Sequence, residues 1–191
     1  MSTGPSEAQA PQEALFAYAE HVYDVLGFAD PVAVRHRTVK AHVKADRWVE
    51  ALGKAKNDLG LVFFSWLSAI DWSNEVQVGD APADRVVERF EVLATVADLT
   101  EGRRITFTTD ISKDEPRIDS LALVYGGANW HEREAFEMFG IDFIGHPDLH
   151  KIYLPEGFEG NPMRKSFPLL SRELRPWPGD VDVEPMPEAS S

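Results

Sequence analysis

Residue types that bind metals or move protons crowd into one stretch, between Asn129 and His150. His131, Glu132 and Glu134 stand almost side by side, as they would on a metal-binding helix. A zincin helix needs a second His four residues after the first, and Ala135 occupies that position. His146 and His150 do have that spacing, but Pro147 follows the first of them. Proline is tolerated only at a helix start, so the two rings need not share a face. Spacing argues against a metal site in both places. Asp71, Asp142 and Asp148 could act as general acids or bases, yet nothing in the sequence pairs them, and isolated carboxylates in so acidic a chain read as solvated. Gly126-Gly127 ahead of Asn129 would put free N–H groups at a helix start, where a phosphate can be held. The GxGxxG and GxxxxGK[ST] patterns are missing, as is a nearby Lys to reach the phosphates, so a helix break is the better reading.

The other charges of this stretch read as surface pairing and as anchors. Arg133 and Glu137 stand four apart and can meet on a helix surface, while Glu132 and Glu134 suit the positive N-terminal end. Arg164-Lys165 is more informative. These adjacent cations, in a chain of net charge −13, are stiffened by Pro162 and Pro168 on either side. Arg beside aromatic residues is the composition of interface anchors. Trp130, Phe136, Phe139, Phe143, Phe158 and Trp177 divide between core and contact surface, because so short a strip cannot bury them all in its own body.

Composition narrows the function further. The 191 residues suit one domain with a proper core, and 43% hydrophobic and 27% charged residues are ordinary for a globular chain. The acidic balance argues against nucleic acid and against direct docking on anionic lipid. Leu61 to Ile70, the longest apolar run, is about half of a membrane span, and no signal peptide is visible. Membrane association is therefore expected only through partners. The chain has no cysteine. That excludes disulfides, thiolate zinc sites, a cysteine nucleophile and an ordinary iron–sulfur cluster.

Periodicity supplies the elements that position these residues. Residues 1–12 are polar and predicted disordered. Leu15, Tyr18, Ala19, Val22, Val25 and Leu26 have helical spacing, with Gly27 as a stop. Val32 to Val43 reads as one weak strand. Asp46 is expected to cap a helix to Leu59, with Trp48, Ala51, Leu52 and Ala55 inward. Leu61 to Asp71 is an apolar strand, central or at an edge. Phe90, Val92, Ala94 and Val96 share one face of a strand that Glu101-Gly102 turns back into Arg104 to Thr109, the clearest hairpin. Ile118 to Tyr125 reads as a short helix. Asn129 is expected to cap the next one, with Glu132 reaching back to the cap's own N–H and Gly140 as its stop. Beyond Gly140, Gly and Pro residues forbid any long regular element. The order predicts an α+β fold: a two-layer domain over 13–128 with a mixed sheet and helices. A docking strip over 129–170 and an extended, Pro-rich acidic arm over 171–191 follow it.

His131-Glu132-Arg133-Glu134, Met138-Phe139-Gly140, Gly145-His146-Pro147-Asp148-Leu149 and Pro162-Met163-Arg164-Lys165 together resemble a known signature. It is that of the thirty-kilodalton subunit of the proton-pumping NADH-quinone oxidoreductases, respiratory complex I. The resemblance runs from Asn129 to Pro168 and thins toward the N-terminus. Glu137 and Lys151 stand where that family usually has Asp and Arg, which keeps the charge. Ser166 replaces an Asp and removes a carboxylate. The resemblance implies a chain with no catalytic centre or cofactor of its own. It would pack against the large quinone-site subunit, with iron–sulfur subunits nearby; by the complex's own lettering these partners are subunits D, B and I. FMN and the Fe-S clusters would lie in the partner subunits, and the location would be peripheral, on the cytoplasmic face of the cell membrane. Trp130, Glu132, Arg133, Glu134 and Phe139 would then supply the interface, with His146, Pro147, Asp148, Arg164 and Lys165. Arg164→Ala would weaken assembly and spare the isolated fold. Alternatives are the equivalent subunit of a membrane-bound hydrogenase or other donor-variant complex, a metal-dependent hydrolase built on His146 and His150, and an unrelated interaction module.

Overall fold

A computed structural model describes residues 10–27, 32–35, 38–76 and 82–168. The arm expected over 171–191 lies outside them. Helix α1 (Ala10–Leu26) starts earlier than its apolar spacing predicts and buries Ala19, Val22 and Leu26. Strands β1 (Ala33–Arg35) and β2 (Thr38–His42) replace the single strand expected there, and they pair antiparallel with Val34 opposite Val39. Asp46 does not cap helix α2 (Trp48–Asn57). It sits in a 3-10 turn over Ala45–Arg47, and the helix begins from the Arg47 backbone with no side-chain cap. The inward face of α2 is as expected: Trp48, Ala51, Leu52 and Ala55 are all buried.

Strands β3 (Phe63–Trp72), β4 (Arg89–Ala97) and β5 (Arg104–Ile111) form an antiparallel meander. With β1 and β2 they make a mixed five-stranded sheet in the order β1-β2-β5-β4-β3, in which β2 runs parallel to β5. The alternation read from sequence sets its faces. Phe90, Val92, Ala94 and Val96 of β4, with Ile105 and Phe107 of β5, join Leu26, Leu52 and Trp48 in one core. Each fully buried Leu, Val or Phe contributes roughly 1.5–3 kcal/mol relative to exposure. The apolar run Leu61–Asp71 is an edge strand. Its register shifts between Phe64 and Trp66, and Phe63, Trp66 and Ile70 project from the outer face, where they are 45%, 42% and 38% exposed.

Ile118 to Tyr125 is not a helix. Strand β6 (Arg117–Asp119) pairs parallel with β7 (Asp142–Ile144), and turns carry the chain on to α3 (Ala128–Phe139). Ile118, Leu121 and Tyr125 are buried, as a helical face would be, but a strand and a turn present them. The Tyr125 hydroxyl donates to the carbonyls of Leu52 and Leu61, which ties this turn to α2 and the entry to β3.

Candidate functional site

Helix α3 packs against β3 and is the frame of the strip that follows it. Its start is the Gly127 backbone, with no side-chain cap, so neither Asn129 nor Glu132 does the capping expected of them. Glu132 is instead fully enclosed. It accepts from the Leu121 N–H at 2.6 Å and the Ser120 hydroxyl at 2.5 Å. These two bonds hold the turn where a helix was expected. Burial pushes the Glu132 carboxyl up to about 7, against the lowering effect of both donors.

Glu137 is buried too, and does not meet Arg133 on the surface. Its Oε2 accepts from the N–H groups of Ile152 and Tyr153 at 3.0 and 2.9 Å, and its Oε1 from Leu154 at 2.5 Å. Burial works to raise its pKa, but the three backbone donors and Lys151 outweigh it and hold the carboxyl below the ordinary range. One carboxylate thereby replaces the backbone pairing that the irregular segment 152–154 cannot make for itself. Arg133 turns to the same segment: its Nε donates to the His150 carbonyl at 3.1 Å, and a second nitrogen meets the His150 ring.

The end of α3 is closed by residues far along the chain. Gly140 has φ +70°, the left-handed stop the sequence suggests, and a Cβ there would lie 2.6 Å from an Arg164 guanidinium nitrogen. Only glycine meets both requirements. Asn161 Nδ2 donates to the Glu137 carbonyl, the Met163 N–H to that of Met138, and Arg164 Nε to that of Phe139. Those are carbonyls that a helix end leaves without partners. The Arg164 guanidinium also lies 5.3 Å from the Phe90 ring centre. Its charge is directed at its own domain, so Arg164→Ala would loosen residues 161–168 as well as any interface. Next to it, the Lys165 N–H donates to Asp71 Oδ2 at 2.9 Å. Asp71 is not a solvated carboxylate but a buried one, bridged to Lys113 at 2.7 Å and accepting from the Ser73 hydroxyl. Burial would raise its pKa, but Lys113, Ser73 and the Lys165 N–H overcome this and lower it.

The expected interface residues thus separate into two groups. Glu132, Arg133 and Phe139 are buried, and Arg164 works inward, so these four hold the strip in place. Trp130 is 62% exposed, with the Arg133 guanidinium 4.8 Å from its ring, and Pro147 and Asp148, past β7, are exposed too. Glu134 and Lys165 are partly buried. The His146 side chain is enclosed and touches Asn129 and Glu132, whereas His150 is exposed and bonded to Asp148. Among the described residues no group of three or more His, Cys, Asp or Glu is placed to hold a metal. Gly126 and Gly127 line a cleft of about 280 Å³ beside Lys56, but the Lys56 ammonium is bonded to the Val124 carbonyl and lies over the Tyr125 ring. Ser120, Lys113 and Asn161, which complete the anchoring, carry no mark in the sequence that would have singled them out.

The site is thus a mixed-sheet α+β domain that clamps an irregular strip by buried carboxylates and leaves aromatic and aliphatic side chains outside. Residues 41–173 match the family described as the respiratory-chain NADH dehydrogenase, 30 Kd subunit, and the chain belongs to that family. It is 36% identical over 138 residues to the corresponding NADH-quinone oxidoreductase subunit of Roseiflexus castenholzii, covering 71% of this chain and 73% of the relative. Against the same subunit of Bordetella petrii it is 36% identical over 66% of this chain and 65% of that one. For Salinispora arenicola the identity is 33%, over 78% of this chain and 58% of the relative. Among solved structures, a trypsin-resistant fragment of Nqo5 aligns with TM-score 0.53 at 23% identity, over 73% of this chain and 99% of the fragment. A chain of the membrane-bound sulfane sulfur reductase, an archaeal respiratory membrane complex, aligns with TM-score 0.68 at 20% identity, over 87% of this chain and 96% of that one. At these identities the last two likenesses are of fold. No helix among the described residues is long and apolar enough to cross a membrane.

Proposed function

We propose that this chain is a scaffold subunit in the peripheral arm of a proton-translocating NADH-quinone oxidoreductase. It docks on the large subunit that helps to frame the quinone pocket, and lies near the iron–sulfur subunits beside it. Electrons pass from NADH through FMN and clusters held by those partners. This chain contributes no redox centre, and the assembly is held at the cytoplasmic face of the membrane through its partners. The supporting observation is the strip itself. Its irregular backbone is fixed by the Glu137 and Asp71 carboxylates, while Trp130, Ile144, Tyr153 and Met163 remain at least half exposed. A rigid surface with aromatic side chains loses little entropy on docking and suits a permanent interface. Affinity purification of the tagged chain from membranes in mild detergent tests this. Flavin and iron–sulfur subunits should accompany it, with NADH-quinone activity, and recovery of the chain alone would overturn the reading.

A second reading rests on the fold shared with the sulfane sulfur reductase chain. In it the same module is built into a complex with another electron donor, a membrane-bound hydrogenase included. The same purification separates the two by the identity of the donor-side subunits.

A further inference from the structure

The docking reading leaves two enclosed titratable side chains unused. Glu132 and His146 are both fully buried, with the carboxylate Oε2 3.8 Å from the ring Nε2. The hydrogen bonds assign the ring's proton. The Asp148 N–H donates to Nδ1 at 3.0 Å, so Nδ1 offers its lone pair and the proton is on Nε2. That Nε2–H faces two acceptors, the Asn129 carbonyl at 3.2 Å and Glu132 Oε2 beyond it. The same Oε2 already accepts from the Ser120 hydroxyl, and Oε1 accepts from the Leu121 N–H.

We propose that the His146 ring is a two-position clasp set by the proton on Glu132. With Glu132 protonated, Nε2–H stays on the Asn129 carbonyl; with Glu132 ionised, it moves to Oε2 and draws the Pro147–Asp148 turn toward α3. An ionised acceptor forms a bond roughly twice as strong as a neutral one, at about 2.8 Å, so closing the present gap moves the ring by about 1 Å. The Nδ1 bond passes that movement to the Asp148 backbone. A carboxyl held near 7 gives both states weight around neutral pH. Other charges on the packed elements point elsewhere. On α3, Arg133 bonds His150 and His131 faces the Phe64 ring. Past β7, the Asp148 carboxylate is bonded to His150, and Asp142 and Asp119 are exposed.

The clasp depends on the docking reading only for what the turn would touch, and its test needs no partner. In the full isolated chain, nuclear magnetic resonance between pH 6 and 8 would follow the Glu132 carboxyl carbon, the His146 ring nitrogens and the Asp148 amide. The three should shift together with one midpoint. Glu132→Gln should abolish the shift at His146 and Asp148. Ser120→Ala, which keeps the pair but removes a donor to the ionised form, should move the midpoint upward. An Asp148 amide that does not respond over this range overturns the clasp, as does one that titrates unchanged in Glu132→Gln. Failure here leaves the co-purification result untouched, and the reverse also holds.

Discussion

Glu137→Gln isolates the contribution of one buried carboxylate to the strip. In the wild type, Oε2 serves Ile152 and Tyr153 while Oε1 serves Leu154. A glutamine can place its one carbonyl oxygen at the Oε2 position and keep two of these bonds in weaker, neutral form. Its NH2 then confronts the Leu154 N–H, donor against donor. A hydrogen bond to a charged group contributes roughly 1.5–3 kcal/mol against about 1 for a neutral one, and an unsatisfied donor costs about 1–3 more. The expected loss is at least about 2 kcal/mol, confined to the opening of residues 150–158, since the sheet core does not share these bonds. At about 1.4 kcal/mol per factor of ten, amide exchange at 152–154 should accelerate at least about thirtyfold. Hydrogen exchange read by mass spectrometry, with β4 and β5 peptides as internal controls, measures this directly. The sign with pH is fixed as well. A carboxyl whose pKa is lowered by folding stabilises above its ordinary range and loses that effect as pH falls through the lowered value. Acid should therefore reproduce the variant's exchange pattern in the wild type. Protection at 152–154 that changes less than threefold in Glu137→Gln would refute the claim that this carboxylate carries the segment.

Glu132 gives the opposite dependence. Its pKa is raised, so its contribution is complete below the ordinary 4.5 and is lost as pH rises through about 7, a difference on the order of 3 kcal/mol. Glu132→Gln mimics the protonated form and should be more stable than wild type at pH 8, with a flatter melting-temperature profile between pH 5 and 8 in calorimetry. Gly140→Ala should cost more than Gly145→Ala. Both have positive φ, at roughly 1–2 kcal/mol each, but only the first drives a methyl into Arg164 and Asn161. Denaturant melts of the two variants make the comparison. Trp130→Ala removes an exposed ring whose stacking on Arg133 is worth about 0.5–1 kcal/mol. It should barely alter the isolated chain's melt while lowering partner recovery at least about tenfold, the loss an interface hot spot carries.

Elements whose burial pattern follows one rule throughout are legible in the sequence. The β4–β5 hairpin keeps its predicted apolar face buried although each strand also buries three residues in a row, α2 places four apolar residues on one side, and Gly140 ends α3 where it should. The strip's carboxylates are not, because Glu and Asp in a chain of net charge −13 resemble solvated surface. Only three dimensions show that Glu137 faces backbone N–H groups fifteen residues or more away, or that Asp71 meets Lys165. Strands β6 and β7 escape for another reason. Each has three residues, too few to show alternation, and the Ile118, Leu121, Tyr125 spacing imitates a helix. The Arg164-Lys165 pair stands out in the sequence as an interface anchor, whereas the bond the structure gives Arg164 runs to the Phe139 carbonyl of its own chain.

The parallel pairing of β2 with β5 has a consequence for how the chain comes together. Hairpins between β3, β4 and β5 close over short sequence separations, whereas Val39 must find Ile105. Contacts of such separation carry a larger loop-closure cost and form late. During synthesis, α1 and the β1–β2 pair therefore leave the ribosome well before their seat on β5 exists. The clamped strip is later still, because Lys165 needs Asp71 and Arg164 needs the end of α3 and Phe90. By this order the clamped strip is the last part of the described domain to be completed. If the strip carries the interface proposed above, a chain that reaches its partners before the strip closes has a sheet but no dock.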